Sequence, residues 1–105
     1  MKAAMPTSVR ITRTVVVANP PMGLHLRPAT AFAKLVRGLK CSVTLCHGEK
    51  KADGRSAFDL LGLLAPPGTE LLLEVEGEDA DIAVEPLCEI LTAEGESTDT
   101  PSTLR

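Results

Sequence analysis

Gly23-Leu24-His25-Leu26-Arg27-Pro28-Ala29-Thr30 is the stretch where this chain turns from loop into helix. Gly23 permits an unusual backbone angle, and Pro28 suits the first turn of a helix, where a missing N–H costs little. Downstream, Ala29, Ala33 and Val36 recur at helical spacing, with Phe32 and Leu35 widening the apolar stripe from Leu26. Lys34, Arg37 and Lys40 fall off that face, and Gly38 marks the stop. His25 therefore stands at the mouth of a helix, beside the permanent cation Arg27. The first-turn N–H groups lack intrahelical acceptors and the macrodipole is positive at that end, so anions are favoured there. A free imidazole titrates near pH 6.5, so at neutral pH most of it keeps a nucleophilic lone pair. Phosphoryl transfer asks for alignment and charge neutralisation more than covalent help. A nucleophile, a guanidinium and backbone donors together suit the acceptance of a phosphoryl group.

Outward from this stretch the chain reads as alternating elements. Upstream, the β-branched run within Val9–Ala18 predicts a strand, broken by Asn19-Pro20-Pro21-Met22-Gly23. Downstream, Cys41 to His47 alternates, with Cys41, Val43 and Leu45 on one face. A turn at His47-Gly48-Glu49, with His47 facing solvent, leads to a short strand over Lys50–Asp53. Ser56 with Asp59 resembles a capping box and opens a second helix, which Pro66-Pro67-Gly68 terminates. Leu60, Leu61, Leu63 and Leu64 cannot all be core on one short helix, so one or two should be exposed. Glu70 to Glu76 alternates again, with Leu71, Leu73 and Val75 inward and Leu72 as the exception on the polar side. A third helix follows Gly77-Glu78-Asp79, with Ile82, Leu87, Ile90 and Leu91 apolar. Pro86 either kinks this helix or marks its start near Glu85. The order strand, helix, strand, strand, helix, strand, helix predicts an α+β arrangement with three helices on one face of a four-stranded antiparallel sheet. Residues 1–8 read as a flexible leader, 9–92 as one domain and 93–105 as a disordered tail rich in Glu, Ser, Thr and Asp.

Composition narrows the chemistry. Two phenylalanines are the only aromatics in 105 residues, so the core must be aliphatic. A net charge of −3 points to neither nucleic acid nor an anionic membrane surface. No run approaches membrane-spanning length and no apolar leader opens the chain, so the cytoplasm is the expected compartment. Three cysteines argue against a disulfide framework. Cys41 and Cys46 are an odd number of positions apart on one strand, hence on opposite faces. The spacing through His47 matches neither a zinc pair nor a haem attachment, so buried, inert thiols and no metal are expected.

The run from Gly23 to Ala29 resembles the active-site signature of HPr, the histidine phosphocarrier of the bacterial phosphoenolpyruvate-dependent phosphotransferase system. The resemblance covers about residues 9 to 92, including Ser56, the Pro67-Gly68-Thr69-Glu70 approach to the last strand and the Gly77-x-Asp79-Ala80 helix entry. It implies a βαββαβα open-faced sandwich and a cytoplasmic monomer serving sugar transport as a stoichiometric carrier, without a cofactor. It implies that His25 accepts a phosphoryl group on Nδ1 from phospho-Enzyme I and passes it to a IIA-type domain, with Arg27 stabilising the group. Ser56 matches a serine that a dedicated kinase and phosphatase act on in some members. Leu26, Arg27, Leu60 and Leu63 are the expected docking residues, within a basic rim of Arg27, Lys34, Arg37, Lys50, Lys51 and Arg55. A mainly regulatory module, switched by phosphorylation of His25 or Ser56, is the alternative. Leu26 departs from the usual small residue, and Asp59 places a carboxylate beside Ser56.

Overall fold

The computed structural model describes residues 9–93. The expected leader and residues 94–105 of the expected tail lie outside them. Seven elements follow in order: β1 (Val9–Val16), α1 (Leu26–Arg37), β2 (Cys41–His47), β3 (Lys50–Asp53), α2 (Ala57–Leu61), β4 (Glu70–Gly77) and α3 (Ala80–Thr92). The strands form one sheet in the order β1-β4-β2-β3, every neighbouring pair antiparallel. The helices lie on one face, α3 against β1 and β4 and α1 against β2, which is the open-faced α+β sandwich the element order predicts.

The alternation of each strand sets its inward face. Cys41, Val43 and Leu45 of β2 and Leu71, Leu73 and Val75 of β4 are buried, in register as Val43 opposite Val75 and Leu45 opposite Leu73. They meet Ala29, Phe32, Ala33 and Val36 of α1 and Ala80, Ala83, Val84, Leu87 and Leu91 of α3. Phe32 joins an otherwise aliphatic core, while Phe58 is 84% exposed. The other sheet face carries Glu70, Glu74, Glu76 and Asp53 against Arg10 and Lys51.

Several expectations need correction. β1 ends at Val16 and not at Ala18, because the Ala18 N–H leaves the sheet for the carbonyl of Leu91 at 2.9 Å. α3 starts at Ala80 and runs through Pro86, which rules out a start near Glu85. Proline withholds the N–H that would bond the Ile82 carbonyl, and the helix continues without that one bond, with Ile82 62% exposed. Ile82 is also off the buried stripe 80, 83, 84, 87 and 91. His47 closes β2 half-buried, its Nδ1 3.0 Å from the Leu63 carbonyl oxygen, and is not a solvent-facing turn residue. Among the thiols only Cys41 is buried; Cys46 and Cys88 are half-buried, and all three are free.

Candidate functional site

The loop between β1 and α1 is built from two anchors. At its start, Asn19 is buried at φ 40°, and its N–H donates to the Ala93 carbonyl at 2.7 Å. At its end, the Leu24 N–H donates to the Ala65 carbonyl at 2.9 Å, and Leu24 itself is buried. Between them Gly23 takes φ +76° and presses on the backbone of Ala65 and Pro66, a position no side chain fits. The Gly23 N–H returns to the Asn19 carbonyl at 2.8 Å, and its own carbonyl accepts from His25 at 3.0 Å.

His25 emerges from this support as the N-cap of α1, extended at φ −111° and ψ −167°. It makes no side-chain cap to its own helix, so the half-buried imidazole is not spent on the first-turn N–H groups. No acidic residue occupies that turn, leaving the positive end of the helix uncompensated within it. Arg27, exposed in the first turn, adds its charge there. An anion carried on His25 would meet the helix start and the guanidinium together.

Leu26 is 63% exposed, because Leu24 takes the inward position as the chain enters the helix. Ser56 caps α2, its hydroxyl accepting from the Asp59 N–H at 3.1 Å. The return arm of a capping box is missing: the Asp59 carboxylate accepts from the Asp53 N–H at 3.3 Å. Arg37 Nε donates to the Arg55 carbonyl at 3.1 Å, tying Ser56's neighbour to the C-terminal end of α1. Ala65, at the far end of the same segment, reaches the N-terminal end. The α2 segment thus runs back along α1, and a helix of 12 residues, about 18 Å long, separates Ser56 from His25.

Leu60 and Leu63, expected at a docking surface, are 0% and 1% exposed. Leu60 on α2 and Leu63 just beyond its C-cap Gly62 complete the core, and the apolar surface falls instead to Phe58 and to Leu64, 69% exposed. Leu64 holds φ +53°, a left-handed angle that β-carbon sterics disfavour, with its side chain in water. Lys50, Lys51, Phe58, Asp59, Gly62 and Leu63 line a shallow depression of about 350 Å³. Sequence reasoning took Asn19 only as a strand breaker and missed Phe58; an Asn followed by a Pro-Pro step was the available signal for the former. Among the described residues no group of three or more His, Cys, Asp or Glu is placed to hold a metal, and no helix is long and apolar enough to cross a membrane.

Comparison with known proteins agrees with this geometry. The family model described as the PTS HPr component phosphorylation site matches residues 11–93. Phosphocarrier protein NPr of Shewanella violacea is 36% identical over 84 residues, covering 80% of this chain and 91% of that protein. Phosphocarrier protein HPr of Haemophilus influenzae is 38% identical over 69 residues, 66% of this chain and 81% of that one. The crystal structure of an HPr from Bacillus anthracis superposes with a TM-score of 0.73 at 23% identity over 79% of this chain and 98% of that one, a likeness of fold.

Proposed function

This chain belongs to the HPr family of phosphotransferase-system phosphocarriers, and on that premise we propose that His25 is the residue that carries the phosphoryl group. Phosphocarriers of this family are carriers and not catalysts. The donor in this reading is the phosphohistidine of an Enzyme I charged by phosphoenolpyruvate, and the acceptor is a histidine of a IIA-type domain. The observation that supports it most is the placement of His25: N-cap of α1, half-buried, uncommitted to capping, at a helix start without an acidic residue.

The imidazole Nδ1 lone pair forms the new N–P bond as the donor's N–P bond breaks, and Nε2 retains its proton. Arg27 and the first-turn N–H groups offset the charge on the equatorial oxygens, which is where this transition state gains most. The product is a phosphoramidate, so the second transfer needs no other energy source. Docking falls to exposed side chains: Leu26 and Arg27 beside the histidine, with Phe58 on α2 and Leu64 just beyond it. Such a patch suits the modest, short-lived interface a relay requires. Lys34, Arg37, Lys50 and Arg55, with Lys51 at the sheet edge beside Phe58, form a basic rim that steers acidic partners. Ser56 is a second, regulatory acceptor in this reading, for a serine kinase.

The test is intact-mass spectrometry after incubation with phosphoenolpyruvate and Enzyme I, followed by brief acid treatment. One phosphoryl group is expected, removed by acid and never gained by His25→Ala. A gain that survives in His25→Ala moves the acceptor elsewhere. No gain with a competent Enzyme I removes the carrier reading.

A further inference from the structure

Asn19 is the only buried polar side chain among the described residues, and its position ties two distant parts of the molecule together. Its Nδ2 donates to the carbonyls of Ile90 at 2.9 Å and Ala93 at 3.3 Å, beside the backbone bond from its own N–H to Ala93. Ala18 adds a bond to the Leu91 carbonyl at 2.9 Å. The last turn of α3 contains no basic residue, so the β1–α1 loop itself supplies donors to these terminal carbonyls.

The orientation of the amide is decided by its surroundings. Turning it over would aim Oδ1 at two carbonyl oxygens, so the NH2 faces α3, and Oδ1 is left buried without a partner among the described residues. An unpaired buried acceptor is costly, which marks the two donors as what the position is selected to provide. The same residue accepts from Gly23, whose carbonyl in turn accepts from His25. A continuous run of hydrogen bonds therefore leads from the end of α3 through Asn19 and Gly23 to the backbone of His25.

We infer that Asn19 is a positioning residue for the transfer proposed above, holding the His25 loop to α3 so that the imidazole meets the donor in line. This rests on the phosphocarrier reading of His25. It concerns orientation, so it acts on the rate of transfer from the bound state; the docking side chains Leu26, Phe58 and Leu64 are untouched by it.

Asn19→Gly separates the side-chain tether from the backbone, because glycine accepts φ 40° and keeps the bonds to Ala93 and Gly23 while deleting both Nδ2 donors. Asn19→Asp is the companion variant, nearly isosteric, with a carboxylate facing the two carbonyls. With Enzyme I and phosphoenolpyruvate, kcat for phosphorylation of Asn19→Gly is expected to fall about tenfold or more at unchanged KM. Amide hydrogen exchange at Gly23 and Leu24 is expected to accelerate in both variants, while that of Leu73 in the core stays as in the wild type. An unchanged kcat, a rise in KM alone, or exchange that accelerates uniformly through the core would each overturn the proposal. If the wild-type chain accepts no phosphoryl group, the carrier reading fails by itself, and exchange at Gly23 and Leu24 still decides whether Asn19 anchors the loop.

Discussion

A Cβ built on Gly23 would collide with the Ala65 carbonyl oxygen, in a residue already at φ +76°. Gly23→Ala therefore meets both a left-handed angle and a backbone that cannot yield cheaply. Its expected cost in urea unfolding is at least about 2 kcal/mol. Gly48 at φ +63° has open space around it, so Gly48→Ala should cost about 1 kcal/mol. Equal losses in the two variants would show that the close approach to Ala65 contributes nothing.

The exposed and buried members of the α2 segment should separate cleanly. Leu60→Ala and Leu63→Ala empty the core and are expected to cost about 2–5 kcal/mol each. Phe58→Ala is expected to stay within about 0.5 kcal/mol of the parent. Leu64→Gly relieves a left-handed leucine and should stay within about 1 kcal/mol. Both exposed variants should raise KM for Enzyme I. An unchanged KM for Leu64→Gly would remove Leu64 from the proposed docking surface.

Arg27 is exposed on the first turn of α1 and contributes to charge more than to packing. Arg27→Ala should leave the unfolding midpoint nearly unchanged and slow phosphoryl acceptance by about tenfold, the worth of a charge-assisted bond. Stopped-flow quench measurements at low and high salt check it. A change confined to low salt would assign Arg27 to steering and not to the transferred group.

Ser56→Ala removes the hydroxyl that accepts from the Asp59 N–H. A loss of about 1 kcal/mol is expected, with Ser56→Asp close to the parent because aspartate also caps. Thermal unfolding of the three proteins measures this directly, apart from any kinase.

Burial pushes the thiols of Cys41 and Cys88 up from the ordinary cysteine value; near Cys41 the carboxylate of Asp79 adds to the effect, and near Cys88 the guanidinium of Arg13 opposes it. The folded state then holds these protons where the unfolded chain releases them. Their contribution to stability is complete below the unfolded thiol value and is lost as pH rises through the folded one, from about pH 8.5 upward. Denaturation midpoints measured from pH 7 to 10 should fall over that range, and less so in Cys41→Ala. Iodoacetamide should modify the half-buried Cys46 before the buried Cys41.

β2 and β4 were legible through alternation, with Leu72 the exception, β1 through its β-branched run and β3 through the turn before it. Cys41–His47 and Lys50–Asp53 fall at the bounds read from pattern and turn residues alone. Helix α1 was legible through its apolar spacing and Gly38, and the His25 motif lies in the loop–helix setting its residues imply. What escaped was tertiary choice. The sequence places four leucines in the five residues 60–64, and only the packed sheet decides that Leu60 and Leu63 face inward while Leu64 faces water. Proline chemistry alone left the start of α3 open, since solvent access at Ile82 is a property of the assembled layer. The role of Asn19 depends on carbonyls more than 70 positions away in sequence, beyond any local pattern.

The α1–α2 side and the outer face of β4 differ in charge, which the net charge of −3 conceals, while α3 adds the acidic Asp81, Glu85 and Glu89 to the helical layer. Arg27, Lys34, Arg37 and Arg55 mark the α1–α2 side, whereas Glu70, Glu74 and Glu76 of β4 look out from the bare sheet. In the field of an acidic surface such a body experiences a torque before it makes contact, turning its histidine end forward and its sheet away. Wrong-way encounters are thereby shortened, so the carrier proposed above, meeting a donor and then an acceptor, would spend less of its time facing either of them backwards.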